Sequence, residues 1–374
     1  MRFQGDACDV AVIGGGVVGM SIAHGLSAAG LRVTVLDEGD VAFRASRGNF
    51  ALVWVQGKGL AMPEYARWTL RSSDLWADFA ADLTAETGID IAHRRPGGFA
   101  LCLSEDELEQ RARDLGRLHN HLPGHVRLEV LDHKAVKAIL PDIGPEVVGG
   151  TYCPADGHVN SLRLFNALHE SARLRGVAYL PNARVRAITP TTDGFRIVSA
   201  AGDVQAGKIV LAAGLGNARL APMLGLHAPV RPQRGQVMVT EKLAPFLHHP
   251  LVNLRQTDEG GVMIGNSQEE VGLDAGTSLA VLGDLAAQAV RYFPLLARAQ
   301  LLRSWGALRV MSPDGHPIYD RSATCPGAYV VTCHSGITLA AAHARILAAH
   351  IAADSWPDTL SPFSARRFTD VQAA

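Results

Sequence analysis

Residues 9–40 read DVAVIGGGVVGMSIAHGLSAAGLRVTVLDEGD, and this stretch decides the fold. Asp9 to Ile13 is a short apolar run that reads as a buried parallel strand. Gly14-Gly15-Gly16-Val17-Val18-Gly19 follows it directly. Met20 to Ala29 then carries apolar residues at helical spacing and stops at Gly30, a natural C-cap. Leu31 to Leu36 is a second strand, closing in Asp37-Glu38. A bare G-x-G-x-x-G recurs by chance, but here Gly14, Gly16 and Gly19 stand where a strand meets a helix. Each then has a mechanical role. Gly14 permits a tight turn, Gly16 a close approach of backbone to phosphate, and Gly19 helix–sheet packing. Val17 and Val18 open the helix, whose unpaired N–H groups and positive dipole end suit a pyrophosphate. Asp37 follows Gly19 by 18 positions and can accept from ribose hydroxyls; Glu38 is the alternative. The fingerprint specifies a dinucleotide without choosing between FAD and NAD.

The bulk numbers set the frame around it. A chain of 374 residues with 48% hydrophobic content can bury a large core. Net charge is −1 and no basic stripe with interleaved aromatics occurs, so a nucleic-acid partner is not expected. The apolar run Val10 to Met20 is broken by glycines and too short to span a bilayer, and no signal-peptide or twin-arginine pattern precedes it. A cytoplasmic location is expected. The five cysteines are scattered without a C-x-x-C pair and read as reduced thiols, and the histidines lack metal-binding spacing. No metal site is expected.

Periodicity predicts further elements along the chain. These are a long helix over 63–87, a strand over 98–103, a helix opened by Ser104 with Glu107 as its capping-box partner, and a short helix ending at Pro141. A helix is expected over 161–175, strands over 208–213, 236–240 and 261–265, a helix over 278–291, a strand over 328–332 and a final helix over 336–352. Nucleotide-type elements at both ends enclose alternating-strand segments. The expected fold is therefore mixed α/β: a Rossmann-like FAD-binding domain (1–90, 145–225 and 305–374) interleaved with a smaller antiparallel-sheet substrate domain (91–144 and 226–304).

FAD is favoured over NAD by two further segments. The loop Arg44-Ala45-Ser46-Arg47-Gly48-Asn49 can reach pyrophosphate and flavin. A second strand–loop–helix junction, Cys333-His334-Ser335-Gly336-Ile337-Thr338-Leu339, offers a helix dipole to the pyrimidine edge of a reduced flavin. With these segments in place the chain resembles the D-amino-acid oxidase-like family of FAD oxidoreductases, which includes glycine oxidase and sarcosine oxidase. The resemblance covers essentially the whole chain. It rests on the opening stretch and on RASRGNFALV (44–53), PADGHVNSLRLFNALHESARLRGV (154–177), IVLAAGLGNARLA (209–221), VRPQRGQVMVTEKL (230–243), WGALRVMSPDGHPIYD (305–320) and CHSGITLAAAHARILAAHI (333–351). SRGNFALVWVQGKG (46–59), VNLRQTDEGGVMIGNSQEEVG (252–272) and HSGITLAAAHA carry a narrower likeness to the FAD-carrying β-type subunits of multi-subunit dehydrogenases. Those include hydrogen cyanide synthase, D-hydroxyproline dehydrogenase and the opine oxidases.

The resemblance implies that Arg309 binds a substrate carboxylate, a role that a planar guanidinium fork suits. It places His334 and Ser335 beside the flavin ring, in reach of flavin or substrate. Ala51, Leu52, Val185, Ala213, Gly214, Gly336, Ile337 and Thr338 fall where the family's chain passes the cofactor. Cys333 stands where the family usually has glycine, and Arg234 reads as structural. Sarcosine oxidases carry a lysine, in the pattern G-x-K-x-G, that promotes reaction with oxygen. Met263 stands there and brings no positive charge, which tilts the expectation towards a dehydrogenase. Sarcosine oxidases also attach their flavin through a cysteine after the stretch matching Leu308–Ser312; no cysteine lies there, so the resemblance implies a non-covalent FAD. The implied activity is hydride transfer from a small amino or imino acid (glycine, D-hydroxyproline, a proline-like acid or an opine) to flavin. Partner subunits, carrying FMN, an iron–sulfur cluster or a second nucleotide site, are expected to take the electrons. The alternatives are a self-sufficient oxidase making hydrogen peroxide and a flavin-holding electron-transfer subunit.

Overall fold

Strand β1 (Cys8–Ile13) is buried on both faces, and its alternation decides how the molecule is layered. Val10 and Val12 point into one apolar cluster, Ala11 and Ile13 into a second on the opposite side. That is the pattern of a central parallel strand covered on both faces. The computed structural model describes residues 7–39, 45–46, 48–121 and 127–368; Arg44 and Arg47 lie outside them.

Among the described residues β1 lies in an eight-stranded sheet. Its main path runs 318–321, 328–332, 202–211, β1, β2 (Val33–Leu36), 178–180, with strands 194–199 and 185–191 attached beyond strand 202–211. The pairs around β1 are parallel, with Val10 opposite Val33 and Lys208. Helix α1 (Val17–Ala28) makes the crossover between β1 and β2. Helix α2 (Pro63–Thr87) keeps the bounds its periodicity predicts. Proline starts it, and Gly88 ends it in the left-handed region at φ 72°. Its buried Trp76, Phe79 and Leu83 pack into the same cluster as Val10 and Val12. Truncating one of those aromatics to alanine costs about 3–5 kcal/mol.

A four-stranded antiparallel sheet has the order 254–256, 261–264, 231–242, 301–311, and a three-stranded sheet joins 98–102, 149–153 and 129–132. Residues 305–311 thus continue a strand of the antiparallel sheet. The mixed α/β architecture with parallel and antiparallel sheets is the expected one.

The C-terminal helix departs from expectation. Residues 336–339 form a turn, and helix begins at Ala340, passing through a π-helical stretch at His343–Leu347 before Ala348–Ala352. The cause is side chains of α2. Ser72 Oγ and Trp76 Nε1 donate to the Thr338 carbonyl (2.7 and 3.0 Å), and the Ala342 N–H donates to Ser72 Oγ (3.2 Å). A bond from Ala342 to Thr338 would have closed the helical turn, so its two ends are satisfied elsewhere.

Candidate active site

A cavity of about 370 Å³ lies at the carboxyl ends of β1, β2 and the strands 202–211 and 328–332. That is where open parallel sheets bind ligands. Gly14, Gly16, Val17, Val18, Asp37, Glu38, Ala45, Ser46, Asn49, Val185, Ala213, Gly214, His334, Gly336 and Ile337, all candidates from the sequence, are brought together in its lining. Gly14 adopts φ 115°, and a Cβ there would overlap the Ala212 carbonyl. Gly19 stands behind the cavity wall, where a Cβ would strike the Gly14 carbonyl oxygen. It is the packing glycine.

Asp37 is buried and holds the loop: the Gly15 N–H donates to its Oδ2 (2.6 Å) and the Gly39 N–H to its Oδ1 (3.0 Å). Glu38 is exposed instead, its carboxylate 3.8 Å from Arg184 Nε. The Val17 N–H donates to Ser46 Oγ (2.9 Å), and the first turn of α1 carries no acidic residue. Its positive end is left without an acidic side chain of its own, as an anionic diphosphate requires. The tight glycine turn, the bare helix end and a cavity of ligand size fit an FAD. An Asp37→Ala variant, losing both loop bonds, is expected to bind FAD on the order of ten- to a hundredfold more weakly in a fluorescence titration.

Ala51, Leu52, Ser335 and Thr338 sit one layer out. Asn49 Oδ1 accepts from Ala51 N–H (2.6 Å), and Ala51 is held at φ 69°. Thr338 Oγ1 accepts from Trp54 N–H (3.1 Å) and donates to the Leu52 carbonyl (3.3 Å). These bonds tie the loop after β2 to the turn at 336–339.

Arg309 projects from strand 301–311, and its register partner is Gln233. Its Nη1 donates to the carbonyls of Ser267 (2.7 Å) and Arg234 (3.2 Å), and the guanidinium lies over Gly235, where a Cβ would be 2.6 Å from Cζ. Among the described residues no carboxylate pairs with it. Arg234 is the opposite case, its guanidinium bonded to Glu269 and Asp274 at 2.6 Å each. Burial, with the charges of Lys58 and Arg309, holds His334 well below its ordinary pKa, so the ring is neutral.

Sequence reasoning missed four participants. Lys58 Nζ and Tyr65 Oη both reach Ser335 Oγ (3.0 and 2.8 Å). Arg219 lines the cavity and donates to the Val185 carbonyl (2.8 Å), and Asn217 Oδ1 accepts from Ala213 N–H (2.9 Å). Only their polar character inside apolar surroundings marked them. A correction concerns Met263. Arg255, its cross-strand partner, brings Nη2 to 2.9 Å from Met263 Sδ, so a buried cation does stand at that point.

The model of one family, FAD dependent oxidoreductase, matches residues 9–350. The chain belongs to that family. Its cofactor is FAD. Across 366 residues it is 48% identical to the opine oxidase B subunit of Agrobacterium tumefaciens (strain Ach5), covering 98% of this chain and 99% of that protein. The opine oxidase B subunit of Rhizobium meliloti is 45% identical over the same shares. The crystal structure of glycine oxidase from Geobacillus kaustophilus matches with a TM-score of 0.86 at 24% identity, over 96% of this chain and 98% of that one. That likeness confirms the fold. Among the described residues no helix is long and apolar enough to cross a membrane, and no three His, Cys, Asp or Glu are grouped to hold a metal ion.

Proposed function

We propose that this protein is an FAD-dependent dehydrogenase that oxidises the C–N bond of a small carboxylated amine or imino acid, working as one subunit of a hetero-oligomer. Arg309 carries the reading. It is a half-buried guanidinium with no carboxylate of its own among the described residues. A planar fork left this way matches a carboxylate in two parallel hydrogen bonds. Bound FAD supplies the acceptor for a hydride from the carbon next to nitrogen, leaving an imine that water hydrolyses.

The chain's own residues then have positioning roles. Arg309 anchors the carboxylate, which fixes where the adjacent C–H lies. Neutral His334, between the cavity wall and Ser335, can make hydrogen bonds without competing for that carboxylate. In this reading residues 1–90, 145–225 and 305–374 hold FAD, and 91–144 and 226–304 hold the substrate, with strands 149–153 and 301–311 crossing between the two. The 45–48% identity to proteins named as the B subunits of opine oxidases supports both a partner subunit and an opine as the substrate.

A second reading, a self-sufficient oxidase, is favoured by the Arg255 cation beside Met263. Stopped-flow mixing of the reduced protein with aerated buffer separates them. A dehydrogenase keeps its flavin reduced over many turnover times and passes electrons to an artificial acceptor. Rapid reoxidation with stoichiometric peroxide would overturn the dehydrogenase assignment.

A further inference from the structure

The loop after β2 meets the antiparallel sheet along residues 48–50, and a glycine on each side makes the fit possible. A Cβ on Gly48 would come within 2.4 Å of the Ala307 Cβ on strand 301–311. Gly265 leaves room for the Phe50 ring, which lies 3.1 Å from where a Cβ of Gly265 would stand. Two side chains of the sheet then take the loop's carbonyls. Trp305 Nε1 donates to the Gly48 carbonyl (3.2 Å) and Arg255 Nε to the Phe50 carbonyl (2.6 Å). Register puts both on one face, since Trp305 pairs with Val237, and Arg255 with Met263, itself opposite Val239. Arg309 shares that face, at an even spacing from Trp305.

The grip on Phe50 is a charged one. Arg255 is buried, and among the described residues no carboxylate pairs with it. Burial lowers its pKa only to about 10, so it stays charged at neutral pH. Its other contacts are the Met263 sulfur (2.9 Å), a weak acceptor, and the face of the Phe50 ring (5.9 Å to the centroid). A desolvated guanidinium without a carboxylate is costly, so the Phe50 carbonyl is tightly held. Asn49 stands between the two held carbonyls and lines the cavity. Its Oδ1 accepts from Ala51 N–H (2.6 Å), which orients the amide and leaves Nδ2 without a partner among the described residues. Ala51 keeps φ 69°, a conformation that persists only where the surroundings over-determine it. The two bonds flanking Asn49 supply that constraint.

We infer that Trp305 and Arg255 are positioning residues for the cofactor: by clamping the carbonyls of Gly48 and Phe50 they aim the Asn49 amide at FAD, so that side chains of the antiparallel sheet control cofactor binding. The inference is independent of the role proposed for Arg309. Because Arg309 lies on the same face, the clamp also fixes the cofactor loop relative to that guanidinium.

Dilution of the FAD-loaded full chain, followed by the fluorescence of released FAD, tests this independently of turnover. Trp305→Phe keeps a ring in place and removes one neutral donor, so FAD affinity is expected to fall about 3- to 10-fold. Arg255→Met removes a charged donor from a buried site, and a fall on the order of 10- to 100-fold is expected. Arg255→Lys keeps a charged donor and recovers part of that loss. A double-mutant cycle with Asn49→Ala separates the clamp from a general loosening of the fold. Acting through Asn49, the clamp has little left to lose once Asn49→Ala is present, so Trp305→Phe and Arg255→Met then cost little further affinity. A general loosening would multiply with the Asn49→Ala loss instead. Should Arg255→Met fail to fold, Trp305→Phe carries the same cycle. FAD affinity unchanged in the clamp variants, or losses undiminished in the Asn49→Ala background, overturns the inference.

Discussion

Gly14→Val will give a protein purified without its yellow cofactor. The backbone at Gly14 has φ 115°, a region that costs residues with a side chain on the order of 1–3 kcal/mol. The larger penalty is steric. A Cβ would overlap the Ala212 carbonyl oxygen and come within 2.7 Å of its carbon, and both are backbone atoms of the neighbouring strand end. Relief requires opening the junction between β1 and strand 202–211, which forms the floor of the cavity. FAD affinity is expected to fall by more than about a thousandfold, since losses above 4 kcal/mol come from such backbone effects. Gly30→Ala is the control. It shares a positive φ (83°), but a Cβ there meets nothing within 4 Å. It should cost only about 1–2 kcal/mol of stability and leave FAD bound. Flavin absorbance per chain after desalting reads out both variants.

Arg309→Met should produce the largest catalytic loss of any substitution that leaves FAD in place. Removing one partner of a buried, hydrogen-bonded charge pair costs about 2–5 kcal/mol, or roughly 30- to 5000-fold in kcat/KM. Methionine fills the space over Gly235 but cannot replace the donors that reach Ser267 and Arg234. Arg309→Lys keeps the charge and loses the fork, so partial recovery is expected, with KM affected more than kcat. Equal flavin content in all three proteins, alongside the lost activity, would separate a substrate role from a structural one.

The cofactor half of the molecule is legible in the sequence because its elements obey simple periods. β1 is apolar on both faces, glycines sit where no Cβ fits, and α2 begins at a proline and ends before a left-handed glycine. Local rules failed where distant side chains intervene. The turn at 336–339 replaces helix because Ser72 and Trp76, more than 250 residues away, capture the Thr338 carbonyl. Lys58 carries no local pattern either; its meaning comes from Ser335, 277 positions later. Met263 shows the reverse error. Its apolar side chain is read correctly, but the charge at that point belongs to Arg255 on the neighbouring strand. Register, which no single-sequence pattern supplies, decides such cases.

In the mechanism proposed, the FAD held by the Gly14–Asp37 unit is reduced by an amine whose carboxylate rests on Arg309. Anaerobic mixing of the FAD-loaded protein with a carboxylated secondary amine, and with the same amine as its methyl ester, tests this most directly. Visible flavin absorbance should bleach with the free acid and stay unchanged with the ester, and Arg309→Met should respond to neither. Bleaching by the ester as fast as by the acid, or no bleaching by any carboxylated amine across a panel from glycine to opines, would contradict it.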